Sequence, residues 1–292
     1  MFPVKLGKNT FKTPLFLASG TWGLGDTLLT YLKKEELQEC VGALITKGIS
    51  LKPMPGNPPP RLYETSSGLI NSIGLENPGI EAFLKIYFPS LKALELPIII
   101  NLHGREIREF VALVERLKEV EISGIELNIS CPNVAKGGIA FSQSPKEVYE
   151  LVKRVRKVYE GALIVKLSPV GPVYEVAKAS EEAGACAITV ANTYPALGII
   201  SFEPLQIIKG GLSGPAIKPL TLRLVFELSQ RVKIPIIASG GITSGKDIVE
   251  YMIVGAKAFQ LGTVNLLDPR ACVKIYYEAK EILTRINLKE VV

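Results

Sequence analysis

Ile125-Glu-Leu-Asn-Ile-Ser-Cys-Pro-Asn133 carries an apolar run of strand length, Ile125 to Ile129, that stops at a proline. Pro132 has no N–H to give a ladder, so the strand ends there and leaves Asn128, Cys131 and Asn133 where it breaks. Seven further runs read the same way: Leu15 to Ser19, Ala43 to Lys47, Pro97 to Asn101, Ala162 to Leu167, Ala187 to Ala191, Pro235 to Ser239 and Ala258 to Gly262. Continuous rather than alternating hydrophobicity marks parallel strands covered on both faces. Amphipathic, helix-like segments lie between them, among them Arg105 to Val120, Pro145 to Tyr159, Tyr174 to Ala183, Pro215 to Arg231 and Ser244 to Val254. Eight strand–helix units predict an α/β fold closed as a TIM (β/α)8 barrel; an open doubly wound sheet is the alternative with the same alternation.

A barrel of this kind accounts for all 292 residues as a single domain, 1–292. Val4 to Lys12, with a polar turn at Gly7 to Asn9, reads as a hairpin closing the barrel bottom. Two connections exceed plain barrel loops, Gly48 to about Asn77 and Thr193 to about Gly214, and long loops on one face serve as lids or partner surfaces. With 47% hydrophobic and 21% charged residues the chain can fill a large core. No apolar run approaches the roughly 18 to 20 residues of a membrane span, and the first residues do not read as a signal peptide, so the expectation is a cytoplasmic protein without a membrane role. The net charge of +6 is spread without a dense basic run, which argues against nucleic acid and suits an anionic small molecule.

Polar residues close five of the runs: Lys47, Asn101, Asn128, Lys166 and Asn192. In a barrel all five meet at the C-terminal mouth, where such folds place their chemistry. Singly each is a polar residue entering a loop; together they form a ring of carboxamides and ammonium groups suited to a flat, anionic, amide-rich molecule. Glycine marks a second site in Gly210-Gly-Leu-Ser-Gly214, in Gly240-Gly241 after the seventh run and in Gly262-Thr263 after the eighth. Glycines there let backbone N–H groups approach a phosphate, against the simpler reading of a turn.

Four cysteines stand apart, with no C-x-x-C pair for a metal, so no metal site is expected and the thiols fit a reducing compartment. Cys40, Cys186 and Cys272 read as small buried hydrophobes. Cys131, with polar flanks at a strand end, is a candidate base or nucleophile. The only histidine, His103, lies at a different strand end with no evident acidic orienter, which disfavours a Cys-His pair.

These motifs resemble the class 1 dihydroorotate dehydrogenases, specifically the catalytic subunit of subtype B. The resemblance runs through Ala18-Ser-Gly20, Thr46-Lys47, Asn71-Ser-Ile-Gly-Leu-Glu-Asn-Pro-Gly79, Asn128-Ile-Ser-Cys-Pro-Asn133, Lys166-Leu-Ser-Pro169, Asn192-Thr193, Gly211-Leu-Ser-Gly-Pro-Ala-Ile-Lys-Pro219 and Gly240-Gly241. It implies an FMN-containing barrel that oxidises dihydroorotate to orotate in pyrimidine synthesis. Cys131 would be the general base; Lys47, Asn71, Ile73, Gly74, Leu75, Asn128, Asn133, Asn192 and Thr193 would hold the substrate. Ala18, Ser19, Gly20, Lys47, Asn101, Asn128, Lys166, Gly214, Gly240, Gly241, Gly262 and Thr263 would hold FMN. The family further implies a homodimer and a two-plus-two complex with an electron-transfer subunit, whose FAD and 2Fe-2S cluster pass electrons to NAD. Subtype A, with fumarate as acceptor, and a flavin enzyme for another dihydropyrimidine are the alternatives. The class 2 quinone enzymes, with a membrane-associating extension and a Ser base, fit less well. His103 and the stretch Tyr194 to Lys209 depart from the family pattern.

Overall fold

The computed structural model describes residues 1–25, 27–130 and 141–286. Fourteen strands occur among the described residues. β1 (Val4–Leu6) and β2 (Asn9–Phe11) pair as the expected hairpin. β3 (Leu15–Leu17) and β4 (Ala43–Ile45) open the barrel, and β5 (Leu62–Thr65) and β6 (Gly68–Asn71) leave it as an antiparallel pair. β7 (Ile98–Leu102), β8 (Gly124–Asn128), β9 (Leu163–Lys166) and β10 (Ala187–Val190) return to the barrel wall. β11 (Tyr194–Phe202) and β12 (Leu205–Ser213) form a second excursion, after which β13 (Ile236–Ala238) and β14 (Ala258–Leu261) complete the circuit.

The eight wall strands close in the order β3-β4-β7-β8-β9-β10-β13-β14, each parallel to its neighbours, with no free edge. The expected barrel is therefore present, and all eight apolar runs are its strands. Helices between them bury one face each; Pro145–Val158 turns Val148, Leu151, Val152 and Val155 inward. Ser144 caps that helix by accepting from the Glu147 N–H, as a proline-led helix start requires.

The two long connections, expected as long loops on one face, contain strands. β11-β12-β6-β5 form one four-stranded antiparallel sheet, so the segments after β4 and β10 are joined in space. On β11 and β12, Leu197, Ile199, Phe202, Leu205 and Ile207 are exposed, while Ile208 is buried. Among the described residues no helix is long and apolar enough to cross a membrane.

Inside the barrel, Phe16, Ala43, Ile45, Ile99, Ile164, Ala187, Ile237 and Ala258 pack with Val4, Leu6 and Phe11 of the hairpin. This apolar plug fills the lower lumen. Strand side chains alternate faces, so the inward residue two positions further on stands one layer nearer the mouth. That step leads from Phe16 to Ala18, from Ile45 to Lys47, from Ile99 to Asn101, from Ile164 to Lys166, from Ala187 to Thr189 and from Ala258 to Gln260. Polar residues ending apolar runs thus follow from the strand period: the lumen changes from apolar to polar within one layer.

Candidate active site

Asn101, on β7, donates through Nδ2 to Glu126 Oε1 at 2.7 Å, and its own backbone N–H donates to Thr46 Oγ1. Its Oδ1 is buried without a hydrogen-bond partner among the described residues. That oxygen faces Gly48, where a Cβ would come within 3.0 Å of it and 3.9 Å of Leu75 Cδ2. The loop expected to hold substrate therefore reaches the same place as Asn101. Leu75 has φ 56° and Gly74 φ 75°, a left-handed pair. Asn77 fixes it, donating to the Leu75 carbonyl at 2.8 Å while its Oδ1 accepts from the N–H groups of Ser50 and Gly79.

A second chain of contacts links the ends of β8 and β10. Asn192 Nδ2 donates to Ser130 Oγ, which donates to Asn128 Oδ1 at 2.6 Å, and the Thr193 N–H donates to Asn192 Oδ1 at 2.9 Å. Asn128 spends its acceptor on Ser130 and presents its NH2 group, whereas Asn101 presents an oxygen. The mouth offers donors and acceptors of fixed sense. Lys166, 7% exposed, is in register with Asn128 on β8 and Thr189 on β10. Lys47 is 3.5 Å from Glu76, which also pairs with Arg61 at 3.0 Å, tying the end of β4 to the loop after β6. Asn71 donates to the Gly211 carbonyl at 3.1 Å, across the β6-β12 pair.

The glycine cluster is also brought together. Gly214 and Gly241 have φ 92° and 66°, and a Cβ on Gly241 would fall 2.9 Å from the Gly214 carbonyl, so the two backbones meet where side chains cannot. Thr263 donates to Ser213 Oγ at 2.7 Å and joins the end of β14 to this point. The loop carrying Gly240 is pinned by Tyr251, whose hydroxyl donates to the Gly240 carbonyl at 2.7 Å. Asp247 accepts from the N–H groups of Thr243 and Ser244 and from Lys218. Among the described residues there is space around Gly262 and Gly20, with only Ala18 near the former and nothing within 4 Å of the latter. A pinned loop with bare backbone fits a phosphate, and the acceptor–donor pair Asn101 and Asn128 fits the amide edge of a flavin ring.

Cys131 and Asn133 lie outside the described residues. Cys40 and Cys272 are buried and burial pushes both thiols up to about 12, as inert core cysteines require. Glu126, Ser130 and Glu76 belong to the site although sequence reasoning did not single them out. Glu126 could have been found as a lone carboxylate within an apolar run.

His103 is 3% exposed, its Nδ1 has no partner among the described residues, and burial, opposed by Glu109, brings its pKa down to about 4 from 6.5. The folded chain keeps it neutral while the unfolded chain binds a proton between those values, so stability is full above pH 6.5 and is lost as pH falls toward 4. The loss amounts to about 3 kcal/mol. Thermal melts across that window are expected to fall with pH, and His103→Leu to flatten the slope; a variant with the wild-type slope would assign it to other groups.

A closed parallel barrel whose C-terminal strand ends carry glycines, carboxamides, a buried Lys166 and a half-buried Lys47 has the layout of a barrel enzyme. The family model for dihydroorotate dehydrogenase matches residues 1–283. Dihydroorotate dehydrogenase B (NAD(+)), catalytic subunit, from Thermoanaerobacter pseudethanolicus is 41% identical over 99% of this chain and 95% of its own length. The proteins of the same name from Geobacter metallireducens and Caldicellulosiruptor bescii are each 44% identical over 99% of this chain and 95% and 96% of theirs. The chain belongs to the dihydroorotate dehydrogenase family.

Proposed function

We infer that this chain oxidises dihydroorotate to orotate with FMN, as the catalytic subunit of an NAD-linked enzyme. The observation that carries the reading is the set of C-terminal strand ends, with Asn101, Asn128 and Lys166 on the adjacent strands β7, β8 and β9, Lys47 just after β4, and Gly214 and Gly241 brought together after β12 and β13. The names of the relatives, which specify NAD and a catalytic subunit, support the acceptor and the existence of a partner.

The reaction removes a proton from C5 and a hydride from C6, and leaves the C5=C6 double bond of orotate. Cys131, three residues beyond Asn128 in the sequence, takes the C5 proton on Sγ. FMN supplies the hydride acceptor when bound, with Asn101, Asn128 and Lys166 at its ring and Gly214, Gly240, Gly241, Gly262 and Thr263 at its phosphate. Lys47 reads the substrate carboxylate; Asn71, Asn128, Asn133 and Asn192 hold the ring amides, and Ile73, Gly74, Leu75 and Thr193 border it. The backbone of Ala18, Ser19 and Gly20 completes the cofactor wall. Electrons leave for a subunit carrying FAD and a 2Fe-2S cluster, in a two-plus-two assembly around a homodimer. The exposed apolar residues of β11 and β12 form the kind of patch that a subunit covers.

Anaerobic addition of dihydroorotate to the FMN-loaded chain is expected to bleach the flavin band, with no recovery on adding fumarate or NAD to the single chain. Recovery with fumarate would make this a subtype A enzyme. A bound flavin that dihydroorotate leaves coloured while dihydrouracil bleaches it would reassign the substrate.

A further inference from the structure

Glu126 is fully buried in the barrel lumen, one layer above the apolar plug. A buried carboxylate is costly unless its oxygens are satisfied, and this one draws donors from three other strands. Oε1 accepts from Asn101 Nδ2 at 2.7 Å; Oε2 accepts from Thr189 Oγ1 and Gln260 Nε2, each at 2.7 Å. The second hydrogen of Gln260 Nε2 goes to Thr189 Oγ1 at 3.1 Å, so the layer holds itself together. Of the two carboxamide oxygens in the layer, Asn101 Oδ1 and Gln260 Oε1, neither has a partner among the described residues.

A carboxylate accepts only, so any carboxamide beside it must turn its NH2 group inward and its oxygen away. For Asn101 that oxygen is the one beside Gly48, the glycine that follows Lys47. We propose that Glu126 is a positioning residue that fixes the sense of the Asn101 carboxamide, making position 101 an obligatory hydrogen-bond acceptor toward the N–H of a ring bound at the mouth. The assignment rests on the reading that FMN binds there. A Gln at 126 would offer both an oxygen and an NH2 group, and Asn101 could then turn either end outward. Half of those arrangements set a donor against the ligand N–H.

The test is FMN uptake by apoprotein, followed by the loss of flavin fluorescence. Glu126→Gln is expected to weaken FMN binding by about tenfold or more, the range for a hydrogen bond left unsatisfied. Asn101→Ala is expected to weaken it comparably, and the double variant to be no weaker than Asn101→Ala alone, because Glu126 acts through Asn101. Gln260→Met, which removes a donor from the other carboxylate oxygen, is expected to lower the melting temperature but leave FMN affinity within about twofold. A purely structural role for Glu126 would instead give additive losses in the double variant, and would overturn the proposal. If E126Q does not fold, E126D runs the same cycle, since the shortened carboxylate keeps its charge but not its reach to Asn101. Wild-type protein that takes up no FMN would sink the flavin reading and this assignment with it. Uptake by wild type with unchanged affinity in E126Q would sink the assignment alone.

Discussion

Replacing Cys131 by Ala is expected to leave FMN bound at wild-type stoichiometry while dihydroorotate oxidation falls by about 10²- to 10⁴-fold, the usual contribution of a general base. The two halves of the outcome separate because the groups assigned to the cofactor, Asn128 apart, come from other strand ends. Asn101 and Lys166 stand on β7 and β9, and the glycine cradle is built by the loops after β12 and β13 with Thr263 after β14. A methyl group cannot take the C5 proton. The measurement is the anaerobic bleaching rate of the bound flavin on mixing with dihydroorotate. Bleaching at the wild-type rate would place the base elsewhere. Loss of FMN together with activity would make Cys131 a structural residue of the site. Cys131→Ser refines the result: a hydroxyl of much higher pKa should be slow at neutral pH and gain as pH rises.

The barrel was legible because its strands are covered on both faces, and parallel strands of that kind appear as unbroken apolar runs. The mouth was legible for the same reason: Lys47, Asn101, Asn128 and Lys166 are the places where those runs turn polar. What stayed hidden needs pairing across long stretches of chain. Thr189 and Gln260 meet Glu126 from 63 and 134 residues away, and a lone Glu in an apolar run gives no clue to which donors surround it. The sheet of β11-β12-β6-β5 was hidden likewise, since β6 finds β12 about 140 residues on and Gly210, Gly211 and Pro195 weaken the strand signal. Glu76 reads as a loop carboxylate until Lys47 and Arg61 are seen beside it.

Lys166→Met is expected to move stability and activity in opposite directions. The ammonium sits on β9 at 7% exposure, and among the described residues no carboxylate pairs with it, whereas Lys47 pairs with Glu76 and Lys218 with Asp247. An unpaired charge in such a place opposes folding by several kcal/mol unless something offsets it. Met keeps the length of the stem and removes the charge, so the apoprotein should melt at the same or a higher temperature. Dihydroorotate oxidation should fall by about 10²- to 10³-fold, as when one fixed group facing developing negative charge is removed. A melting temperature well below wild type would mean that Lys166 holds the barrel together rather than serving the reaction. Wild-type oxidation in a stabilised variant would mean that the charge faces nothing that changes during turnover.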